Sequence, residues 1–286
     1  MDRRAARHGF DRAAGSYAQA SVLQRELARR MAERLDYVKL VPRAVLDLGC
    51  GIGADLPVLE YRYPNAAIAG CDLSFAMLAR VPRDRSWMRR MLGRRKNDAL
   101  VCTDAGRLPF RTGTFQLVWS NLALDWADDL GEAFAEVLRT MEIGGLFMFS
   151  LCGPDTLKEL RRAFLAADAK PHVHRFIDMH DVGDLLVSRG FADPVTDMEM
   201  ITLTYDRVED LLGDLRRAGA VNADAERRRG LTGREGWKRM LMAYEAMRHE
   251  DRLPASFEIV YGHAWKPEPR RTADGRSVVR FERGRR

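Results

Sequence analysis

The feature that most constrains the fold of this chain is a glycine-rich turn at the end of an apolar run. Residues 44–50 read AVLDLGC, and Gly49, Gly51 and Gly53 follow within a few positions, directly before the helix-like segment ADLPVLEYRY. Glycines let the backbone turn tightly and approach a ligand without interference from a Cβ atom. The turn therefore predicts the start of a βαβ unit with a ligand at the end of its first strand, although a tight turn without a ligand has the same pattern.

Apolar runs of strand length continue along the chain. They occupy residues 66–74, 99–110, 114–126 and 146–151, and the helical pattern LGEAFAEVLRTM with an EIGG turn precedes the last run. Uninterrupted apolar strands that alternate with helices are typical of a parallel sheet covered on both faces. We expect an α/β fold.

The pattern changes in the C-terminal half, where helices outnumber strands. Two late strands are predicted at 196–205 and 256–265, which fits a sheet that ends in an antiparallel pair. Helices are predicted at 155–168, 179–190, 207–219 and 234–248, besides an early helix over 21–35. Gly219 is expected as the C′ residue of its helix and Ser21 as an N-cap.

Composition excludes several classes of protein. The 286 residues are 46% hydrophobic and 31% charged, which is a globular balance. No apolar run approaches the ~20 residues that span a bilayer, and the N-terminus lacks the apolar core of a secretory signal. The four cysteines show neither CxxC pairs nor zinc spacing with histidine, so we predict reduced thiols and no metal site. These features predict a cytoplasmic protein without a membrane partner.

The net charge of +6 comes from two short segments. Residues 80–96 carry +7 and residues 266–286 carry +5, so the rest of the chain sums to −6. A basic body that would bind nucleic acid is therefore not predicted.

Carboxylates stand where the predicted strands end. Asp47 precedes the first glycine of the turn, and Asp72 ends the second strand, where its two oxygens match the diol of a ribose. Asp104, with Ala105, follows the third strand and could meet an adenine, and Asn121 follows the fourth. Helix capping for Asp72 and Asn121, and a turn for Asp104, are the alternatives.

The order DLGCGIG, GCDLS, TDAGRLPF, LVWSNLALDW and EIGGLFMFS resembles the class I S-adenosylmethionine (AdoMet)-dependent methyltransferases over roughly residues 40–152. The resemblance implies a Rossmann-like, seven-stranded, mostly parallel sheet with an antiparallel C-terminal edge strand. It implies AdoMet as cofactor and S-adenosylhomocysteine as product. The implied cofactor-binding residues are Asp47, Gly49, Gly51, Gly53, Asp72, Leu73, Asp104, Ala105 and Asn121.

The flanking segments narrow the resemblance. FDRAAGSYAQAS, SNLALDW, PHVHRF and FEIVYGHAW, spread over residues 10–266, are similar to the malonyl-acyl-carrier-protein O-methyltransferases of early biotin synthesis. This similarity implies methyl transfer to a malonyl carboxylate on an acyl carrier protein. The second half is similar, more weakly, to a complex I assembly factor that hydroxylates an arginine, so a protein that acts on a protein partner is the alternative.

Two residues are candidates for catalysis within that resemblance. Tyr17, in AAGSY, is expected to fold over the cofactor, and Arg175, in PHVHRF, to bind the malonyl carboxylate through its forked guanidinium. Ordinary packing of Tyr17 and a surface role for Arg175 are the alternatives. Arginines at 161, 162, 216, 217 and 227–229 are candidates for docking an acidic carrier, or else line solvated helix faces.

The chain is thus predicted to have four parts: a helical segment over the cofactor site (1–40), the AdoMet-binding core (41–152), the rest of the sheet with a helical substrate lid (153–266), and a basic, disordered tail (267–286).

Overall fold

A computed structural model describes residues 1–82 and 99–269 of the chain. Most of the basic segment 80–96 and of the basic tail 267–286 lies outside the described residues, so the expectations for these two segments are not addressed by the structure.

The described residues contain one seven-stranded sheet. Its order is β3-β2-β1-β4-β5-β7-β6; the first five of these strands run parallel, and β7 runs antiparallel to both β5 and β6. The strands are β1 (Ala44–Leu48), β2 (Ala67–Asp72), β3 (Leu100–Cys102), β4 (Phe115–Asn121), β5 (Met141–Cys152), β6 (Ala192–Tyr205) and β7 (Leu253–Trp265). The predicted Rossmann-like α/β fold, with its antiparallel C-terminal edge, is confirmed.

Helices cover both faces of the sheet, which explains why the central strands are apolar throughout. In β1 the four residues after Ala44 are buried, and two hydrophobic cores, one around Trp119 and one around Phe147, flank the sheet. The helices are α1 (Arg3–Ala13), α2 (Tyr17–Ala20), α3 (Val22–Arg34), α4 (Leu56–Arg62), α5 (Phe75–Leu78), α6 (Leu130–Thr140), α7 (Lys158–Phe164), α8 (Met179–Ser188), α9 (Val208–Arg217) and α10 (Arg234–Glu245). None of the helices in the described ranges is long and apolar enough to cross a bilayer.

The ends of two helices test the predicted caps. Gly219, at φ +73°, follows α9 as its C′ residue; its N–H donates to Arg216 O, and the N–H of Ala220 reaches Leu215 O. This prediction is confirmed. Ser21 does precede α3, but its hydroxyl caps no N–H group of the helix and accepts from Arg25 instead.

Three predicted boundaries were wrong. The EIGG sequence is not a turn but part of β5, where the pairing with β4 shifts register between Met141 and Leu146. The third strand ends at Cys102, because the polar TDAGR sequence forms a loop. Helix α7 is shorter than expected, since Leu157 adopts a left-handed conformation (φ +53°) just before it begins.

The N-terminal helices lie over the carboxyl edge of the sheet. Helix α1 packs against α5 and α9, and α2 packs against α9. Two side-chain contacts fasten α1 there, an ion pair from Arg3 to Asp104 (2.9 Å) and a hydrogen bond from the Ser74 hydroxyl to Asp11 (2.6 Å). The segment therefore covers the sheet edge at which open α/β sheets bind ligands.

Candidate active site

A cleft opens at the carboxyl ends of β1, β2 and β4, and we call it the cofactor cleft. Seven of the nine residues predicted to bind the cofactor line it, namely Gly49, Gly51, Asp72, Leu73, Asp104, Ala105 and Asn121. The other two lie outside its lining. Asp47 is buried within β1, and Gly53 packs against Leu56 and Val81.

The first glycine of the loop is required by both conformation and space. Gly49 has φ +81°, and a Cβ atom built on it would lie 2.0 Å from the Cβ of Ala123. Gly51 also has a positive φ, and its nearest neighbour for a Cβ is the ring of Tyr17 at 3.9 Å. Any larger residue at Gly49 would push the glycine loop away from the loop that follows β4, and the floor of the cleft would change shape.

Asp72 joins the glycine loop to the start of α5. Its Oδ2 accepts from the N–H of Gly51 at 2.9 Å, and its Oδ1 accepts from the N–H of Ser74 at 2.8 Å. Burial raises the pKa of Asp72, and these two N–H donors oppose the shift. Since each carboxylate oxygen has two lone pairs, both can still accept a hydroxyl from the cleft. The helix cap, which was the alternative for this residue, is provided by Ser74.

Asp104 and Asn121 are more firmly tied to the protein. Asp104 accepts from the N–H of Gly106 (2.8 Å) and pairs with Arg3 of α1. The Asn121 amide donates to Asp55 (3.0 Å) and to Gln24 O, and its oxygen accepts from Ser150. Both line the cofactor cleft, but their ligand-binding roles remain predictions.

Asp55 belongs to the site and was missed from the sequence. Its Oδ2 accepts from the indole N–H of Trp119 (2.9 Å) and from Asn121, and burial raises its pKa. Trp119 and Asn121 are more than sixty residues away along the chain, and no local motif indicates the contact. Asp55 fixes the amide of Asn121 at the end of β4.

A second, larger cavity adjoins the cofactor cleft, and we call it the substrate cavity. It has a volume of about 360 Å³ and lies between α2, α7, α9 and the segment 171–176. Its lining is mostly apolar, as in Leu160, Phe164, Leu203 and Phe257. Four residues line both spaces, namely Phe10, Tyr17, Leu122 and Trp126. The two spaces meet at these four residues, which we call the junction.

Tyr17 stands at the junction, close to several carboxylates. Burial raises the pKa of Tyr17, and the negative charges of Asp55, Asp72 and Asp47 raise it further. Its hydroxyl therefore stays protonated at neutral pH and is a hydrogen-bond donor. The same carboxylates favour a cation in the cofactor cleft.

The other predicted catalytic residue is not brought to the site. Arg175 is exposed and lines neither the cofactor cleft nor the substrate cavity. The neighbouring His174 does line the substrate cavity, and burial lowers its pKa. The role of Arg175 remains a prediction.

The lining of the substrate cavity also includes an acid, Asp125, whose pKa is raised. Both oxygens of Asp125 accept from the N–H of Cys152 at 3.1 Å, and burial raises the pKa of Asp125 to about 7. The contact ties the loop after β4 to the end of β5.

The residues of the cofactor cleft fit AdoMet. Asp72 presents a carboxylate to a diol, the glycine loop leaves space where a Cβ would stand, and the surrounding acids suit a sulfonium. The cleft measures only about 80 Å³, below the ~300–1,000 Å³ of typical ligand sites, because α1 and α2 lie over it.

Comparison with known proteins identifies the class. Residues 46–149 match the model of a methyltransferase domain. The YcgJ protein of Bacillus subtilis has a similar fold, with a TM-score of 0.57 over 84% of this chain and 99% of that one, at 16% identity. Fold and cleft are those of a class I AdoMet-dependent methyltransferase.

Full-length relatives define the family more narrowly. A protein of Gallionella capsiferriformans is 46% identical and one of Laribacter hongkongensis 48% identical. Each match covers 98% of this chain and 96% of the relative, and both relatives are named malonyl-acyl-carrier protein O-methyltransferase. The chain belongs to this family.

Proposed function

We propose that this protein transfers a methyl group from AdoMet to the free carboxylate of a malonyl thioester on an acyl carrier protein, the step that starts biotin synthesis. The observation that carries the proposal is the junction, where a cleft suited to AdoMet meets a separate apolar cavity. The names of relatives at 46% and 48% identity support the malonyl carrier as substrate over a protein partner that is hydroxylated.

The reaction needs little from acid–base groups. AdoMet supplies a methyl group that its sulfonium already activates. A malonyl carboxylate is deprotonated at neutral pH, so its oxygen can attack directly; an O–CH3 bond forms, the S–CH3 bond breaks and its electron pair stays on sulfur. The products are the malonyl methyl ester and S-adenosylhomocysteine.

The protein contributes alignment and exclusion of water. The junction residues Phe10, Leu122 and Trp126 are largely apolar and remove water from the approaching carboxylate. Tyr17 lines both spaces as well, and because its pKa is raised its hydroxyl stays protonated and can donate a hydrogen bond to the substrate. Holding oxygen and methyl in line at about 3 Å is sufficient to account for a large acceleration.

Mass spectrometry tests the proposal directly. We expect malonyl-carrier protein to gain the mass of one methyl group in place of a proton after incubation with AdoMet and the enzyme, and acetyl-carrier protein, which has no free carboxylate, to remain unchanged. If AdoMet binds but no ester forms, the protein-modifying alternative replaces the proposal.

We propose a cytoplasmic enzyme, since the four cysteines are unpaired, as is usual where thiols are kept reduced.

A further inference from the structure

The substrate cavity has to accept an anion, yet its lining contains few positive charges. A malonyl carboxylate that leaves water needs a counter-charge or strong donors, or its desolvation is costly. The lining includes the acids Asp125 and Asp214, and among residues 1–82 and 99–269 the only lysine or arginine in it is Arg216.

The other arginines near the cavity are committed to protein groups. Arg161 donates to the carbonyl oxygens of Pro154 and Thr156, Arg227 pairs with Asp2, and Arg228 pairs with Asp168. These contacts hold loops together, so the three side chains would have to break them in every turnover in order to bind a substrate anion.

Arg216 differs from its neighbour in the same helical turn. Arg217 pairs with Asp214, whereas the guanidinium of Arg216 makes no hydrogen bond or ion pair within residues 1–82 and 99–269. Arg216 is exposed, and it also lines the cavity. Such a side chain can bind a ligand without breaking an existing ion pair.

The backbone places Arg216 beside the junction. The hydroxyl of Ser16, next to Tyr17, donates to Arg217 O at 3.0 Å. Three residues after Arg216, Gly219 packs closely against Phe10, where a Cβ would come within 2.6 Å of the ring. Both contacts fix the last turn of α9 against residues adjacent to the point of methyl transfer.

The two histidines that line the cavity, His172 and His174, are weaker candidates for binding the malonyl carboxylate. His172 stacks on Phe164, and its Nε2 lies 3.0 Å from Asp168, which would neutralise it if it were protonated. His174 lies within hydrogen-bond distance of Val221 O and Ala223 N, and burial lowers its pKa.

We propose that Arg216 binds the free carboxylate of the malonyl group and thereby selects acyl groups that end in a carboxylate. The inference rests on the proposed function and replaces Arg175 with Arg216 as the residue that recognises the charge. A bidentate guanidinium contact suits a carboxylate, and the methyl ester, having lost its charge, is released.

The test uses a short probe, the malonyl thioester of N-acetylcysteamine, which has neither the phosphate of the carrier arm nor the carrier. Binding is measured in the presence of S-adenosylhomocysteine, beside the neutral acetyl thioester. For Arg216→Gln we expect the malonyl probe to bind about 10- to 100-fold more weakly, with the acetyl probe unchanged. Arg216→Lys should recover part of the affinity, and exposed Arg207→Gln at the start of α9 should leave it unchanged.

Kinetics with malonyl-carrier protein separate recognition from a structural role. We expect Arg216→Gln to raise KM more than it lowers kcat, with unaltered AdoMet affinity and thermal midpoint. The proposal is overturned if Arg216→Gln changes the affinity for the malonyl probe by no more than about twofold, or if this variant weakens binding of carrier-bound substrate only. It is also overturned if Arg175→Gln, and not Arg216→Gln, weakens binding of the malonyl probe. If the wild-type enzyme forms no ester, the proposed function fails, while binding of the probe still tests Arg216.

Discussion

Replacing Asp72 with asparagine removes one charge and one acceptor from the floor of the cofactor cleft while it preserves the size of the side chain. In the structure the two oxygens of Asp72 accept from the N–H groups of Gly51 and Ser74. An asparagine can satisfy only one of these donors, and its NH2 group faces the other. It also offers one oxygen instead of two to a ribose diol.

The magnitude follows from these contacts. A hydrogen bond to a charged group contributes about 2 kcal/mol, so the loss of one ribose contact should weaken cofactor binding about thirtyfold. Folding stability should change less, by about 1 kcal/mol, because two effects oppose each other. The variant loses a backbone hydrogen bond, but it no longer buries a carboxylate whose pKa is raised by desolvation.

Calorimetric titration with S-adenosylhomocysteine measures the affinity, and urea denaturation of the same samples measures the free energy of unfolding. Asp36→Asn is the matched control, since this aspartate is exposed and pairs with Arg62 away from the cofactor cleft. Affinity of Asp72→Asn within about threefold of wild type would refute the assignment of Asp72 to the ribose. A loss of stability as large as the loss of affinity would show that the structural role dominates.

Two further predictions concern the glycine loop and the substrate cavity. Gly49→Ala should lower the free energy of unfolding by about 2–4 kcal/mol because the new Cβ clashes with Ala123. Gly113→Ala is the control: Gly113 has a similar φ but open space around it, so this change should cost about 1 kcal/mol. Equal thermal midpoints of the two variants would contradict the clash. Native Asp125 releases its proton near pH 7 and the unfolded chain near 3.8, so its contribution to stability falls as the pH rises between these values. The thermal midpoint of Asp125→Asn should therefore rise relative to wild type between about pH 4 and pH 7, and a constant difference would exclude the raised pKa.

The sequence was informative where function depends on neighbours in the chain. A strand, a glycine turn and a helix are contiguous, so the loop at Gly49 and the acid at Asp72 could be placed from pattern alone. The β5 strand was misread at Gly144 and Gly145 because glycines usually end a strand, whereas here they accompany a shift in register against β4.

The substrate cavity could not be predicted in the same way. Whether an arginine lines it depends on how α9 packs against α1 and α2, through contacts such as that from Ser16 to Arg217, two hundred residues apart. Arg175 and Arg216 were both candidates from the sequence, one for the malonyl carboxylate and one for carrier docking, and only the packing of α9 shows which of them lines the cavity. Asp55 could not be predicted either, because its role depends on contacts with Trp119 and Asn121 on β4, which are distant in sequence.

The position of α1 has a consequence for the order of events. The first turn of this helix is fastened at the cofactor cleft through Arg3, and its last turn is fastened beside the cleft through Asp11 and contacts the turn that carries Arg216 through Phe10. A segment that touches two ligands links their binding free energies, and such linkage is reciprocal. We therefore expect cofactor and acyl carrier to bind cooperatively. Cofactor binding fixes the position of α1, and α1 in turn holds the last turn of α9, which carries Arg216, in place for the acyl carboxylate. Depletion of AdoMet would then lower the affinity of the enzyme for its carrier, so that an enzyme without a methyl group to donate does not sequester malonyl-carrier protein.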